Sequence, residues 1–324
     1  MSTKPDKPFA LDHLILFLPS SESTPPTPLI PPSISANFTL TPGGLHADNL
    51  TANTLILLAD GSYIELVCFN PGASSSAIEQ HWWGGKHGRL RRGWTDWCLG
   101  SDVPVEELSA WLKSLGAQND GVWKWDDAVK GGRKRPDGEQ VRWSVVFPEK
   151  DDTGRGVRGL VPFFCVDETR REIRVPRDEV KTRHGCGVLG VLELTLMVGN
   201  EEILERVGKT FDALVGTGQA TASEQRYRLA RVVSETGLRG LGPDIVVKLA
   251  TNERDRDMVG ERGYAITDVV MGALADEREA GNDLRKLEGG AKDEEISDDQ
   301  CVKGQRVRLD SGGTDYGGLW VQYV

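Results

Sequence analysis

Three short stretches set reactive groups among apolar neighbours. "LDHLILFLPS" (Leu11–Ser20) carries Asp12 and His13 in a run that otherwise reads as a buried β-strand, and "YIELV" carries Glu65 the same way. "WTDWCL" places Asp96 between two tryptophans. An ionised carboxylate in such surroundings must find an opposite charge, take up a proton or ligate a cation. A neutral imidazole can turn a lone pair toward the same proton or cation. Around these lie candidate substrate contacts. His46 sits in the glycine-led loop "GGLHADN", where backbone can approach a ligand, and Asn53 opens the next strand. Arg133, in "GGRKRPDG", offers a guanidinium to a carboxylate or phosphate. Trp97 is one of nine tryptophans from which an aromatic pocket wall can be built. No G-x-S-x-G elbow, phosphate-binding G-x-x-x-x-G-K-[ST] or H-E-x-x-H occurs.

These residues need strands to position them. Side chains alternate along a strand, which predicts that His13 shares a face with Leu11, Ile15 and Phe17, and Glu65 with Tyr63, Val67 and Phe69. A first unit reads as a strand, an irregular crossover with six prolines between Pro19 and Pro32, and three more strands, Asp60-Gly61 turning the last pair. A second unit repeats this order from "GWTDWCLG": Val105, Leu108, Trp111, Leu112 and Leu115 keep helical spacing, and three strand candidates follow, the last being "LVPFFCVDE". The remainder opens as a third β-α piece, "VLGVLELTLMVGN" followed by a helix capped by Asn200. Within it, Glu193 reads as an exposed residue of an edge strand.

Composition narrows the function. The net charge is −10, and Ala275–Asp299 alone holds ten acids against four bases, so no basic body for nucleic acid exists. The acidic loop at 275–300 reads as disordered. No run approaches a membrane span or a signal peptide, which makes a cytoplasmic protein the expectation. The five cysteines form no C-x-x-C pair and read as buried thiols of a reducing compartment.

A repeated β-α-β-β-β unit whose first strand carries Asp-His and whose fourth reads "YIELV" resembles the vicinal-oxygen-chelate superfamily, and within it the glyoxalase-like domain family. "LDHLIL", "PGGLHADNLTANTLILLADGSYIELV", "WTDWCLGSD", "GGRKRPDGEQVRW" and "GLVPFF" carry the resemblance over about residues 9–168. It implies an α+β fold in which paired βαβββ modules (about 9–70 and 93–168) form a curved-sheet cleft. The glyoxalase-like domain would span 1–180, with an additional C-terminal β-α-β region at 181–324. The resemblance also implies metal ligands on the first and fourth strands of each module: His13, Glu65 and, by laying "LDHLIL" over "WTDWCL", Asp96. A fourth ligand is missing, with Val166 at the expected place. One histidine and two carboxylates suit Zn²⁺, Mn²⁺, Fe²⁺ or Mg²⁺, and they do not reproduce the two-histidine, one-carboxylate set of non-haem iron oxygenases.

The function so implied is a metal-dependent enzyme acting on a small oxygen-rich substrate. Isomerase, lyase or epimerase proton transfer would run through a stabilised enolate, with Glu65 as catalytic base. The alternative is a metal-free small-molecule-binding protein on the same fold.

Overall fold

The computed structural model describes residues 9–84, 92–135, 137–149, 157–233, 238, 242–275, 304–310 and 317–324. Most of the acidic loop, residues 276–300, lies outside them, as does Cys301. The other four cysteines are free and buried.

The first module runs β1 (Ala10–Phe17), a single helical turn α1 (Pro32–Ser35), β2 (Thr41–Leu45), β3 (Thr51–Leu57) and β4 (Tyr63–Phe69), then a short helix α2 (Ser75–Gln80). The prolines confine α1 to that one turn, since helix interiors exclude them. The second module runs β5 (Gly93–Gly100), α3 (Val105–Gln118), β6 (Val129–Lys134), β7 (Gln140–Val146) and β8 (Phe163–Asp167), followed by the short helices α4 (Arg171–Arg174) and α5 (Glu179–Thr182). All eight strands form one sheet in the order β2-β3-β4-β1-β5-β8-β7-β6. Each module pairs its first and last strands in parallel, and β1 and β5 join the modules antiparallel. The outer strands then curl round to meet: His46 bridges to Arg133, and the Ala47 amide donates to the Gly132 carbonyl at 3.2 Å. This curvature makes the cleft.

In the C-terminal region the strand candidates "RYRLARVV", "DIVVKLAT", "YAITDVVMGAL" and "LWVQYV" follow the opening β-α piece, and strands form on all four. β9 (Val188–Val198), α6 (Glu201–Val215), β10 (Gln219–Ala220), β11 (Glu224–Arg228) and β12 (Asp244–Leu249) lead through α7 (Glu253–Val259) to β13 (Tyr264–Ala273), β14 (Arg306–Arg308) and β15 (Gly318–Tyr323). They build a second, seven-stranded sheet, β10-β11-β12-β9-β13-β15-β14, with the same logic: β9 lies parallel to β12, β13 parallel to β15, and β9 and β13 join antiparallel. The acidic stretch hid the kinship of its last strands by separating β13 from β14 in the chain. Asn200 caps α6 as expected, accepting from the Ile203 amide at 2.9 Å.

The two sheets share one apolar core, to which α6 contributes Leu204, Val207, Phe211 and Leu214. Glu193, read as an exposed edge residue, is instead buried on central strand β9. Arg226 of β11 and Arg306 of β14 both reach its carboxylate, at 3.1 Å each, so one buried acid ties together strands from opposite ends of the sheet order. No helix among the described residues is long and apolar enough to cross a membrane.

Candidate active site

The site begins with an irregularity in β1. Leu11 pairs with Leu99 and His13 with Cys98, leaving Asp12 without an opposite residue, which is a β-bulge. The bulge reverses the alternation. Leu11, Leu14 and Leu16 enter the core between the sheets, whereas Ile15 and Phe17 join the cleft cluster. Leu11 therefore does not share the face of His13, contrary to strict alternation.

Buried Asp12 is held by Arg171 and by a double contact from Arg174, whose Nη1 and Nη2 donate at 2.8 Å each. Burial alone would raise its pKa, but these two cations and their hydrogen bonds hold the carboxyl well below the usual range. Ionised Asp12 can only accept, so the 2.6 Å contact with His13 fixes Nδ1 of that ring as the donor. The imidazole also stacks on Tyr63, 4.7 Å between centroids. His13 Nε2 faces Glu65 Oε2 at 3.7 Å.

Glu65 stands opposite Ile15 in the parallel β1–β4 pair, on the same face as His13. Its Oε1 accepts from Asn53 Nδ2 at 2.5 Å and lies 3.2 Å from His46 Nε2. His46 in turn rests its Nδ1 against Thr51 Oγ1 at 2.6 Å. The glycine pair before His46 permits this closeness, because a Cβ on Gly43 would fall 1.8 Å from Asn53 Oδ1. Burial pushes the Glu65 carboxyl up, but the hydrogen bond and charge of His46, the charge of His13 and the Asn53 amide outweigh it and bring it to about 2. Two imidazoles and a carboxylate thus converge at one place in the cleft.

Two imidazoles and a carboxylate are donor types that a divalent cation takes. His13 and His46 each have Nδ1 engaged by an outer partner, Asp12 and Thr51, which aims Nε2 in the manner of metal-binding histidines. Ligand atoms of Asp12, His13 and Cys98 also lie within 4.8 Å of one another. Asp12 in that group is also paired with Arg171 and Arg174.

The second module contributes differently from expectation. Asp96, expected as a ligand, is fully buried and committed to Arg158, whose Nε and Nη2 donate to Oδ2 at 2.8 and 2.6 Å. A carboxylate neutralised by a guanidinium is a poor metal ligand. The missing fourth ligand is also relocated. Cys98 pairs with Phe163 as Ile15 pairs with Glu65, so Phe163 is the counterpart of Glu65, while Val166 packs against the core on the other face. Trp97, expected in the pocket wall, stacks instead on Phe211 between the sheets at 5.8 Å. The cleft is lined by Phe17, Phe69, Trp83, Phe163 and the partly buried Trp82 and Trp143. Arg133 is buried beside His46 and donates to the carbonyls of Gly43 at 2.9 Å and Arg174 at 3.5 Å.

The structure therefore gathers His13, His46, Asn53, Glu65 and Arg133, and leaves Trp97 outside. Sequence reading noted Asp12 without giving it a role, and missed Arg158, Arg171 and Arg174. For the last two a signal existed: two arginines three apart in "TRREIR", directly after a strand, present both guanidinium groups on one side of a short helix.

The glyoxalase-like domain family matches residues 11–211 of the chain. No curated protein matches it. Among solved structures, a hypothetical protein from Staphylococcus aureus is similar at 12% identity and a TM-score of 0.60, over 98% of this chain and 100% of that one. That likeness extends the shared fold to both sheets. The 2,2',3-trihydroxybiphenyl 1,2-dioxygenase of Sphingomonas wittichii strain RW1 is similar at 11% identity and a TM-score of 0.45, over 98% of this chain and 91% of that one. A homoprotocatechuate 2,3-dioxygenase variant from B. fuscum gives 9%, 0.45, 99% and 74% in the same terms.

Proposed function

Because the chain belongs to the glyoxalase-like domain family, we propose that its cleft is the active site of a divalent-metal-dependent enzyme that moves a proton on a small oxygen-rich organic substrate. The observation that carries this reading is the convergence of His13 Nε2 and His46 Nε2 on opposite oxygens of Glu65, at 3.7 and 3.2 Å. These three residues would hold the cation, and imidazole donors favour Zn²⁺, Mn²⁺ or Fe²⁺ over Mg²⁺. A bound cation supplies Lewis-acid stabilisation of an enolate or alkoxide.

The chain's own residues supply the rest. Glu65, its carboxylate kept ionised by its neighbours, would serve as the base on leaving the cation. Asp12 holds His13 in the tautomer that presents Nε2. Asn53 orients Glu65, Arg133 provides positive charge beside His46, and the aromatic walls exclude water from the reacting centre. Isomerisation, lyase chemistry and epimerisation all use such a proton transfer.

A second reading, a metal-free binding protein, is favoured by the second module: Asp96 is neutralised by Arg158, and Phe163 replaces a ligand. Titration of chelator-treated protein with Mn²⁺ and Zn²⁺ by calorimetry separates the two. The metal reading requires one tight site, weakened about 10–100-fold or more in His13→Ala and Glu65→Gln. Equal affinity in wild type and both variants would sink it.

A further inference from the structure

Arg158 occupies an enclosure of its own. Its guanidinium carbon lies 3.9 Å over the Phe147 ring and 5.4, 5.7 and 5.6 Å from the rings of Trp82, Trp83 and Phe163. One edge of the group is spent on Asp96 through Nε and Nη2. Among the described residues Nη1 has no acceptor, although a guanidinium carries donors on every edge. The same enclosure holds a second incomplete group: Trp83 is 6% exposed, and its buried Nε1 has no hydrogen-bond partner among the described residues. A buried N–H without an acceptor forfeits its hydration, and that of Trp83, set beside the Arg158 guanidinium, implies that its acceptor comes from outside the fold.

We propose that Arg158 and Trp83 form a carboxylate subsite at the second-module end of the cleft, so that the ligand is a small organic anion with a planar apolar part. This rests on the reading of the cleft as a small-molecule site, and it holds with or without a metal at Glu65. The ion pair with Asp96 fixes the guanidinium plane, the rings flank its faces, and Nη1 with the Trp83 indole N–H supplies two donors to one carboxylate. Phe163 then has a purpose in place of a metal ligand, as apolar wall for the flat part of the ligand. His81 adds no competing charge: burial and the Arg158 cation lower its pKa to about 4, so it is neutral at pH 7.

The test uses benzoate and benzamide, which share shape and differ in charge, with binding read by calorimetry on the full chain at pH 7. Wild type is expected to bind benzoate at least about tenfold more tightly than benzamide, the scale of one charge-assisted hydrogen bond. Arg158→Lys, which keeps the charge on Asp96 but loses the planar fork, should remove about tenfold of benzoate affinity and less than about twofold of benzamide affinity. Trp83→Phe keeps an aromatic ring and deletes only the N–H donor, and should weaken benzoate about three- to tenfold. It guards against misfolding in the arginine variant. Failure of wild type to bind benzoate, equal binding of the two probes, or unchanged benzoate affinity in both variants would overturn the proposal. Running each titration with chelator-treated and Mn²⁺-saturated protein separates the two readings. Benzoate preference without Mn²⁺ binding rejects the metal and keeps the subsite, and Mn²⁺ binding without benzoate preference does the reverse.

Discussion

Asp12 and His13 are chain neighbours, yet Nδ1 of the imidazole donates to the Asp12 carboxylate across 2.6 Å on the same side of the sheet. In a regular strand successive side chains point to opposite faces. The bulge at Asp12 cancels that alternation and turns two adjacent residues into a carboxylate–imidazole pair.

Asp12→Asn should therefore damage both stability and site. It removes one of the two carboxylates that neutralise buried Arg174, Asp167 being the other, a loss of about 1–3 kcal/mol. It also replaces the charged acceptor of the His13 Nδ1–H by a neutral amide, which should weaken Mn²⁺ binding about 10–100-fold. Urea unfolding and calorimetry measure the two effects separately.

Stability should fall with acid through His184. Its Nδ1 accepts from the Thr39 amide at 3.1 Å and its Nε2 donates to the Leu57 carbonyl at 2.9 Å, so the folded protein holds it neutral, and burial lowers its pKa from 6.5 to about 4. Between those values the unfolded chain binds a proton that the folded one refuses. Stability is therefore complete above pH 6.5, declines as pH falls toward 4 by up to about 3 kcal/mol, and then levels for this group. Urea midpoints from pH 5 to 8 should show that slope, and His184→Gln should reduce it, leaving the share of His81 and, toward pH 5, of carboxylates such as Glu65.

Trp97→Ala should be costly without touching ligand binding. Removing an indole stacked on Phe211 in the shared core costs about 3–5 kcal/mol. The affinity for benzoate or Mn²⁺ in folded protein should stay within about twofold, because Trp97 faces away from the cleft. A large loss of affinity would contradict its placement.

Glu193→Gln should loosen the second sheet alone. Arg226 and Arg306 are partly exposed and can rehydrate, so the loss should be about 1–2 kcal/mol. Hydrogen exchange should quicken at β14, whose Arg306 anchors to Glu193, and stay unchanged at β1 and β4.

Much of the first sheet was legible because its signals are local. Alternating apolar runs mark strands, Asp60-Gly61 marks a turn, and the repeat of "LDHLIL" in "WTDWCL" marks two modules. The second sheet was less so, because β13 and β14 are joined by a long acidic stretch that carries no periodicity. Glu193 was misread for a related reason: whether a strand is central or at an edge depends on pairing with β12 and β13, which lie far along the chain.

By itself the sequence determined the residue types available to the site, the βαβββ repeat and the family. It placed His13 and Glu65 on strands of one module, and the pairing of β1 with β4 follows from that topology. Only the tertiary structure decided which partner each buried charge would have. Arg158 neutralises Asp96, Arg171 and Arg174 neutralise Asp12, and His46 comes to Glu65 from a loop on β2. The reason is electrostatic. A charge in an apolar cleft is tolerated only when the fold brings its counter-charge within a few ångströms, and those partners lie tens to more than a hundred residues away in the chain, where no spacing rule can reach them.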